Sequence, residues 1–354
     1  LAVAIYPLLG GLANPRFYEF ERAIDFSREF VWTVVSKLAS VAAAVAVALL
    51  LRNYWAVIAG LATLAVAQLA LSYAMRPYRP RLTFLAALNN KIDAFIVARL
   101  VGPVGAGNFY YGFQLAELPT REFATPIARA VYPGLSELQA ERTRMRAAFL
   151  KGVEALGVAA TPLSIGFAFV AADAIALLLG DKLAGATPVV EILTPVLGLQ
   201  TLFLATQYYA MALGLTRLVF IRELIFFVMR FPVIIWATAE HGLVGAVYAL
   251  AGCGLAHVAL NLWLYAKIAA RPAYEPLLAA RRSLAAVAAM AAYFLLLRPE
   301  ALAAAPTALR LAADIAAGGL VYAAALVGLW RLEGSPDGAE RRISGLIAAT
   351  LARR

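Results

Sequence analysis

Runs of about twenty consecutive apolar residues recur from one end of this 354-residue chain to the other, each separated from the next by a short polar joint. A helix rises about 1.5 Å per residue and needs about 20 mostly apolar residues to cross the hydrocarbon core of a bilayer. Ten runs approach or exceed that length, at 31–51, 54–75, 83–101, 106–131, 152–172, 186–213, 218–238, 243–266, 284–297 and 308–330, and residues 1–11 read as the end of another. None alternates with a period of two over about ten residues, as the strands of a membrane barrel do. With 63% apolar and 15% charged residues, the chain carries more apolar surface than a soluble fold of this length buries, which excludes an ordinary water-soluble enzyme. The expected fold is all-α, a polytopic transmembrane helical bundle.

A net charge of +10 raises nucleic-acid binding as an alternative, and the placement of the 31 Lys and Arg residues argues against it. Alternate joints, at 12–30, 76–82, 135–151, 214–222, 267–283 and 331–354, together hold 21 of them. The opposite joints hold only Arg52, Lys182 and Arg298, while Lys37, Lys91, Arg99, Arg121, Arg129, Arg230 and Arg310 fall inside the runs. Cytoplasmic joints are the ones enriched in Lys and Arg, so the basic side is expected to be cytoplasmic and to include the carboxyl terminus. The basic excess then sets topology, attracts anionic lipids of the inner leaflet, and is no nucleic-acid footprint.

Catalytic and metal chemistry find little support. The single cysteine, Cys253, sits in an apolar run, and His241 and His257 share no motif. A phosphate-cradling G-x-x-x-x-G-K-[ST], an H-E-x-x-H zinc helix and a G-x-S-x-G elbow are all missing from the sequence, so no cofactor and no metal site is expected. The stretch LANPRFYEFERAIDFSREF at 12–30 mixes aromatic and charged residues, as either an interfacial amphipathic helix or a plain connecting helix does.

The most polar membrane-depth region is 89–138. At 100° per residue Asn89 and Asp93 share a helix face, and Lys91 and Arg99 lie on another. In the following run Tyr110, Gln114, Glu117, Arg121 and Thr125 form one polar stripe, in which Glu117 is spaced to pair with Arg121 at i,i+4. Ionisable groups at this depth are costly unless they face a bundle interior or a wet cavity. The stripe is therefore either cavity lining or an internal salt-bridge cluster that fixes packing. Pro119 and Pro126 favour kinks in the same run. Elsewhere, Arg310 and Asp314 have i,i+4 spacing, Glu223 and Arg230 lie two turns apart on one face, Arg222 and Glu223 fit a cytoplasmic helix end, and Lys37 is placed to snorkel.

The segments NNKIDAFIVARLVGPVGAGNFYYGFQLAELPTREFATPIARAVYPGLSEL, RAIDFSREF, NYWAVIAG, PYRPRL and LLGDKLAGATPVVEIL resemble, in the same order, segments of the Wzx-type oligosaccharide flippases. The resemblance is to the WzxC-like polysaccharide transporter branch of the multidrug/oligosaccharidyl-lipid/polysaccharide exporter superfamily, and it extends to about residue 270. It implies two six-helix lobes around a central cavity and two further helices, about ten spans here of an expected fourteen. Residues 1–82 then correspond to the remainder of the first lobe, from the end of its fourth helix, 83–270 to the second lobe, 271–330 to the terminal pair and 331–354 to a basic cytoplasmic tail. Most of the first four helices would precede Leu1, and the 83–101 span is shorter than in relatives.

The implied activity is no enzymatic one. A lipid-linked oligosaccharide diphosphate would enter from the cytoplasmic leaflet of the inner membrane and be released outside by alternating access, in concert with polysaccharide-assembly proteins. Lys91, Arg99, Arg121 and Arg129 would face the diphosphate, and Tyr110, Tyr111 and Gln114 the sugar hydroxyls. Asp93 and Glu117 would couple to an ion or hold those cations in place. A drug or cation antiporter of the same superfamily, a membrane glycosyl enzyme and a non-transporting fragment stay open as alternatives.

Overall fold

The computed structural model describes residues 26–51, 55–75, 84–124, 134–298 and 305–334. Residues 12–25 of the amphipathic stretch, the joint at 76–82, Arg129 and the tail from 335 lie outside the described residues. Among the described residues all regular structure is helical: α1 (Phe26–Leu51), α2 (Trp55–Met75), α3 (Phe84–Pro119), α4 (Arg142–Phe169), α5 (Ala171–Leu178), α6 (Thr187–Leu202), α7 (Leu204–Ala212), α8 (Thr216–Ala269), α9 (Glu275–Ala279), α10 (Arg281–Ala292) and α11 (Thr307–Leu332). A π-helical turn follows α3 at Thr120–Ala124 and another follows α10 at Tyr293–Leu297, and a 3₁₀ turn precedes α6 at Asp181–Ala186. Thr33–Leu50, Arg142–Phe169, Lys182–Ala212 and Thr307–Leu332 are each long and apolar enough to cross a bilayer.

Two of the long helices are broken where the sequence places joints. Gly102 interrupts α3 with φ 82° and Gly242 interrupts α8 with φ 59°, a region of backbone space open to glycine and strained for other residues. At Gly242 the chain reverses. Arg222 hydrogen-bonds Asn261, and Phe226 stacks on His257 with ring centroids 4.3 Å apart, so residues nearly equidistant from the glycine face each other. α8 is thus an antiparallel hairpin of 216–241 against 243–269, each half longer than the roughly 20 residues a span requires.

The run at 186–213, read as one span, lies within one stretch able to cross a bilayer, but its helix is interrupted. Phe203 separates α6 from α7, with its N–H bonded to the Gln200 carbonyl and its own carbonyl accepting from Thr206 N–H, both i to i−3. These tighter turns shift the register of the chain. Pro195, the evident breaker in that run, is accommodated inside α6.

The chain divides into two compact units, Leu1–Phe95 and Ile96–Arg354. In the first, α1 and α2 run against each other through small residues. Ser40 Oγ donates to the Gly60 carbonyl at 2.8 Å, and a Cβ on Gly60 would lie 3.0 Å from that of Ala44. Lipid tails are as apolar as leucine, so helices in a membrane associate through such close packing and interhelical hydrogen bonds.

In the second unit α4 is central, flanked by α6 and α10, with α8 on α6 and α11 on α10. Phe149, Tyr209 and Tyr265 meet in the core near Leu156 and Leu202, Phe149 lying 5.1 and 5.2 Å from the two tyrosine rings. A second cluster, Val287, Met290, Phe294, Tyr322 and Leu326, joins α10 to α11. The α4–α6 crossing depends on Gly198, where an added Cβ would sit 2.5 Å from the Ser164 Cβ. Gly198→Ala is expected to destabilise the solubilised protein by about 1–3 kcal/mol, the usual cost of overpacking. Ser164→Gly in the same chain should restore most of the thermal midpoint, measured by intrinsic fluorescence on heating.

Candidate functional site

The polar stripe on α3 ends in a break of the α-helical pattern. Pro119 has no N–H to offer the carbonyl four residues back, and the chain widens directly after it into the π turn Thr120–Ala124. Thr120 Oγ1 donates to the Glu117 carbonyl at 2.9 Å. The expected i,i+4 pair between Glu117 and Arg121 gives way to a different arrangement, because the wider turn carries Arg121 out of α-helical register. Arg121 Nη1 donates to Gln114 Oε1 at 3.2 Å, and its Nε donates to Glu122 Oε1 at 3.0 Å. The guanidinium is thereby fixed while staying half exposed.

Beside it lies a cleft of about 220 Å³ lined by Glu117, Thr120, Arg121, Thr201 and Leu204. Thr201 and Leu204 flank the Phe203 break, so an irregular turn on each side forms the cleft. Irregular backbone at membrane depth is tolerated where it is buried in protein or lines a cavity. Of the residues singled out from sequence, Gln114, Glu117 and Arg121 come together here. Arg99, Tyr110 and Tyr111 are exposed along α3 outside the cleft lining, the two tyrosine rings meeting edge to face at 5.4 Å. Asp93 is buried at 6% exposure. The side chain of Lys91 and the whole of Arg129 and Thr125 lie outside the described residues.

Charges elsewhere in the second unit are tied across helices. Arg222, counted by its position among the residues that set topology, is 1% exposed and reaches Asn261 Oδ1 at 2.5 Å, Gln207 Oε1 at 3.1 Å and Glu223. It pins α7 to both halves of the α8 hairpin. Arg230, two turns on, lies over the Phe226 ring with its guanidinium carbon 5.3 Å from the centroid. Arg310 Nε donates to Asp173 Oδ2 at 2.7 Å, and Asp314, spaced i,i+4 from Arg310 and acting on it electrostatically, pairs with Arg298. Near the start of α4, Glu275 bridges Arg146 and the Tyr265 hydroxyl. Lys37 is exposed, in keeping with a snorkelling position.

The sequence profile described as "Polysaccharide biosynthesis protein" matches residues 1–88 and 83–188, more than half of the chain. The chain belongs to the polysaccharide biosynthesis protein family. Relatives with the family's themes in their names include an uncharacterized membrane protein in the cps region of Klebsiella pneumoniae, 24% identical over 185 residues that cover 52% of this chain and 38% of that protein. The succinoglycan biosynthesis transport protein ExoT of Rhizobium meliloti is 24% identical over 200 residues, 51% of this chain and 40% of the relative. The lipopolysaccharide biosynthesis protein WzxC of Escherichia coli is 24% identical over 106 residues, 30% and 22% of the two chains. The matched stretch thus spans about two fifths or less of the length of these relatives. In the solved structures, the inward closed conformation of the lipid II flippase MurJ superposes with a TM-score of 0.63 at 15% identity, covering 89% of this chain and 72% of MurJ. The fold of this family member is therefore that of MurJ, a multi-pass helical membrane protein.

Thr201 and Leu204 escaped sequence reading, and Arg222, read there as a residue of a cytoplasmic helix end, escaped it as an interhelical tie. Only the position of a helix break, or of a partner on a distant helix, reveals them. Removing the Arg222 guanidinium leaves the polar atoms of Asn261, Gln207 and Glu223 facing one another without their donor. Arg222→Met is expected to destabilise the folded protein by about 1–3 kcal/mol, as leaving buried hydrogen-bonding groups without their partner does. The readout is the yield of monodisperse protein after solubilisation, with Arg217→Met, at an exposed neighbour, expected to leave it unchanged.

Proposed function

We propose that the chain belongs to a flippase that moves lipid-linked oligosaccharide or polysaccharide repeat units across the bacterial cytoplasmic membrane by alternating access. The reading draws support from family membership, from the transport role in the name of ExoT, and from the fold shared with MurJ over most of the chain. Fold alone does not fix function, so the site must carry the argument. The observation that carries it is Arg121, a guanidinium lining a cleft and oriented by Gln114 and Glu122, with three of its five N–H donors uncommitted among the described residues. A diphosphate offers oxygens that match such a fork, and the hydrogen bonds formed are charge-assisted. Chemistry of this kind holds and releases a charged head group and needs no covalent bond to be made or broken.

Arg99 is exposed on the same helix and adds a second cation for the substrate, while Lys91 and Arg129 complete the set on the sequence pattern. Tyr110 and Tyr111 present an aromatic edge suited to sugar hydroxyls and ring faces. Gln114, bonded to Arg121, positions that guanidinium in addition to any contact with sugar. Asp93 and Glu117 serve ion coupling or hold the cations. The carboxyl terminus is cytoplasmic in this scheme, by the distribution of Lys and Arg. The polymer-assembly proteins of the same membrane are the partners. A drug or cation antiporter is the second reading, favoured by the carboxylate of Glu117 in the cleft lining.

The two readings part on charge removal. Arg121→Ala in the full-length gene product is expected to lower polymer export roughly ten- to a hundredfold at unchanged protein level, matching the loss of a charge-assisted contact of about 1.5–3 kcal/mol, with Arg121→Lys intermediate and Arg99→Ala weaker. Export unaffected by both alanine variants, with Glu117→Gln alone abolishing transport of an organic cation, establishes the antiporter instead.

A further inference from the structure

We infer that α10 and α11 are a fixed part of the body built on α4 and α5, bolted to it along its length, so that any transport motion carries these four helices together. The inference rests on the reading of the chain as a transporter only for its consequence, and its geometry stands independently.

Three sets of contacts tie the pair down. Toward one end, Arg282, 8% exposed, reaches Glu154 on α4 at 2.5 Å and Glu333, just past α11, at 3.6 Å, while Arg281 holds Glu333 at 2.7 Å. In the middle, Thr161 Oγ1 and Ser283 Oγ lie 2.8 Å apart, Ser283 Oγ donates to the Gly157 carbonyl at 2.7 Å, and the Tyr322 hydroxyl donates to the Val158 carbonyl at 3.1 Å. At the other end, Arg310 grips Asp173 on α5 with two nitrogens, and Arg298 pairs with Asp314 and lies 3.6 Å from Asp173.

Along the unbroken α11, from Arg310 to its end at Leu332, these ties extend over roughly 33 Å at the helical rise, close to the thickness of the hydrocarbon core. Contacts at both ends and the centre oppose tilting and sliding alike. Separation would also strand Asp173, Asp314 and Arg282, all nearly or fully buried, in an apolar surrounding where a lone charge is costly. Shear between packed helices needs side chains that can exchange partners, and bidentate Arg–carboxylate pairs backed by buried hydroxyls do not offer that. The terminal pair therefore does not gate.

Two measurements on the full-length protein, with Cys253→Ser as background, test the inference. Thr161→Cys with Ser283→Cys places two thiols where the hydroxyls now touch. Oxidation is expected to join them and to leave transport within twofold of the reduced protein. Disulfide formation that lowers transport tenfold or more, reversed by dithiothreitol, overturns the inference, as does failure of the thiols to join. Spin labels at the exposed Leu163 on α4 and Leu320 on α11 supply a readout that needs no substrate. One narrow distance in detergent and in lipid nanodiscs is expected, and a second population overturns the fixed body. Absence of transport in the Cys253→Ser background as well as in the reduced double variant counts against the flippase reading, and the spin-label distance then decides the inference by itself.

Discussion

A charge placed at membrane depth must find a partner or face water, and that requirement sorts the ionisable residues of this protein into two kinds. Arg222, Arg282, Asp173 and Asp314 are nearly or fully buried and spend their charge on other helices. Arg99 and Arg121 keep theirs exposed. The first kind holds α4, α5, α7, α8, α10 and α11 together where apolar contact alone gives little net attraction in lipid. The second kind is the set proposed to meet a ligand. Both follow from one electrostatic cost, and the difference lies in whether a neighbouring helix supplies the compensating group.

Most of the helical layout is legible in the sequence because the bilayer imposes a length. The joints expected before 106 and before 243 coincide with breaks at Gly102 and Gly242, where only glycine takes the positive φ without strain. The interruption at Phe203 left no such trace. Its two i to i−3 hydrogen bonds arise at a buried phenylalanine, and the proline that would normally signal a break lies inside α6. The ionic contacts were only partly legible for a related reason. Spacing arithmetic sees one helix at a time, so it offered Asp314 to Arg310, whereas the hydrogen-bonded partner that packing supplies is Asp173, on a helix more than a hundred residues earlier.

The candidate site shows the same division. Gln114, Glu117 and Arg121 were visible as a stripe because a helix of 3.6 residues per turn puts them on one face. Thr201 and Leu204 were not, since they reach the cleft only through the Phe203 break. Two departures from regular helix, the π turn after Pro119 and that break, meet around a cleft of about 220 Å³. Regular α-helices would have placed Glu117 opposite Arg121. The irregular turn instead sets the guanidinium against Gln114 and Glu122, with donors left for an anion.

The central claim is that this fold, with its half-exposed arginine, carries a lipid-linked anionic sugar from one leaflet to the other. Reconstitution of the full-length protein into liposomes holding a fluorescent lipid-linked oligosaccharide diphosphate, followed by a membrane-impermeant quencher, measures that movement. The account predicts that the fraction of label protected in the inner leaflet falls over time in wild-type vesicles, falls at least tenfold more slowly in Arg121→Ala vesicles, and stays constant in protein-free ones. Protection that stays constant with correctly folded wild-type protein, or that falls equally fast with Arg121→Ala, would contradict it.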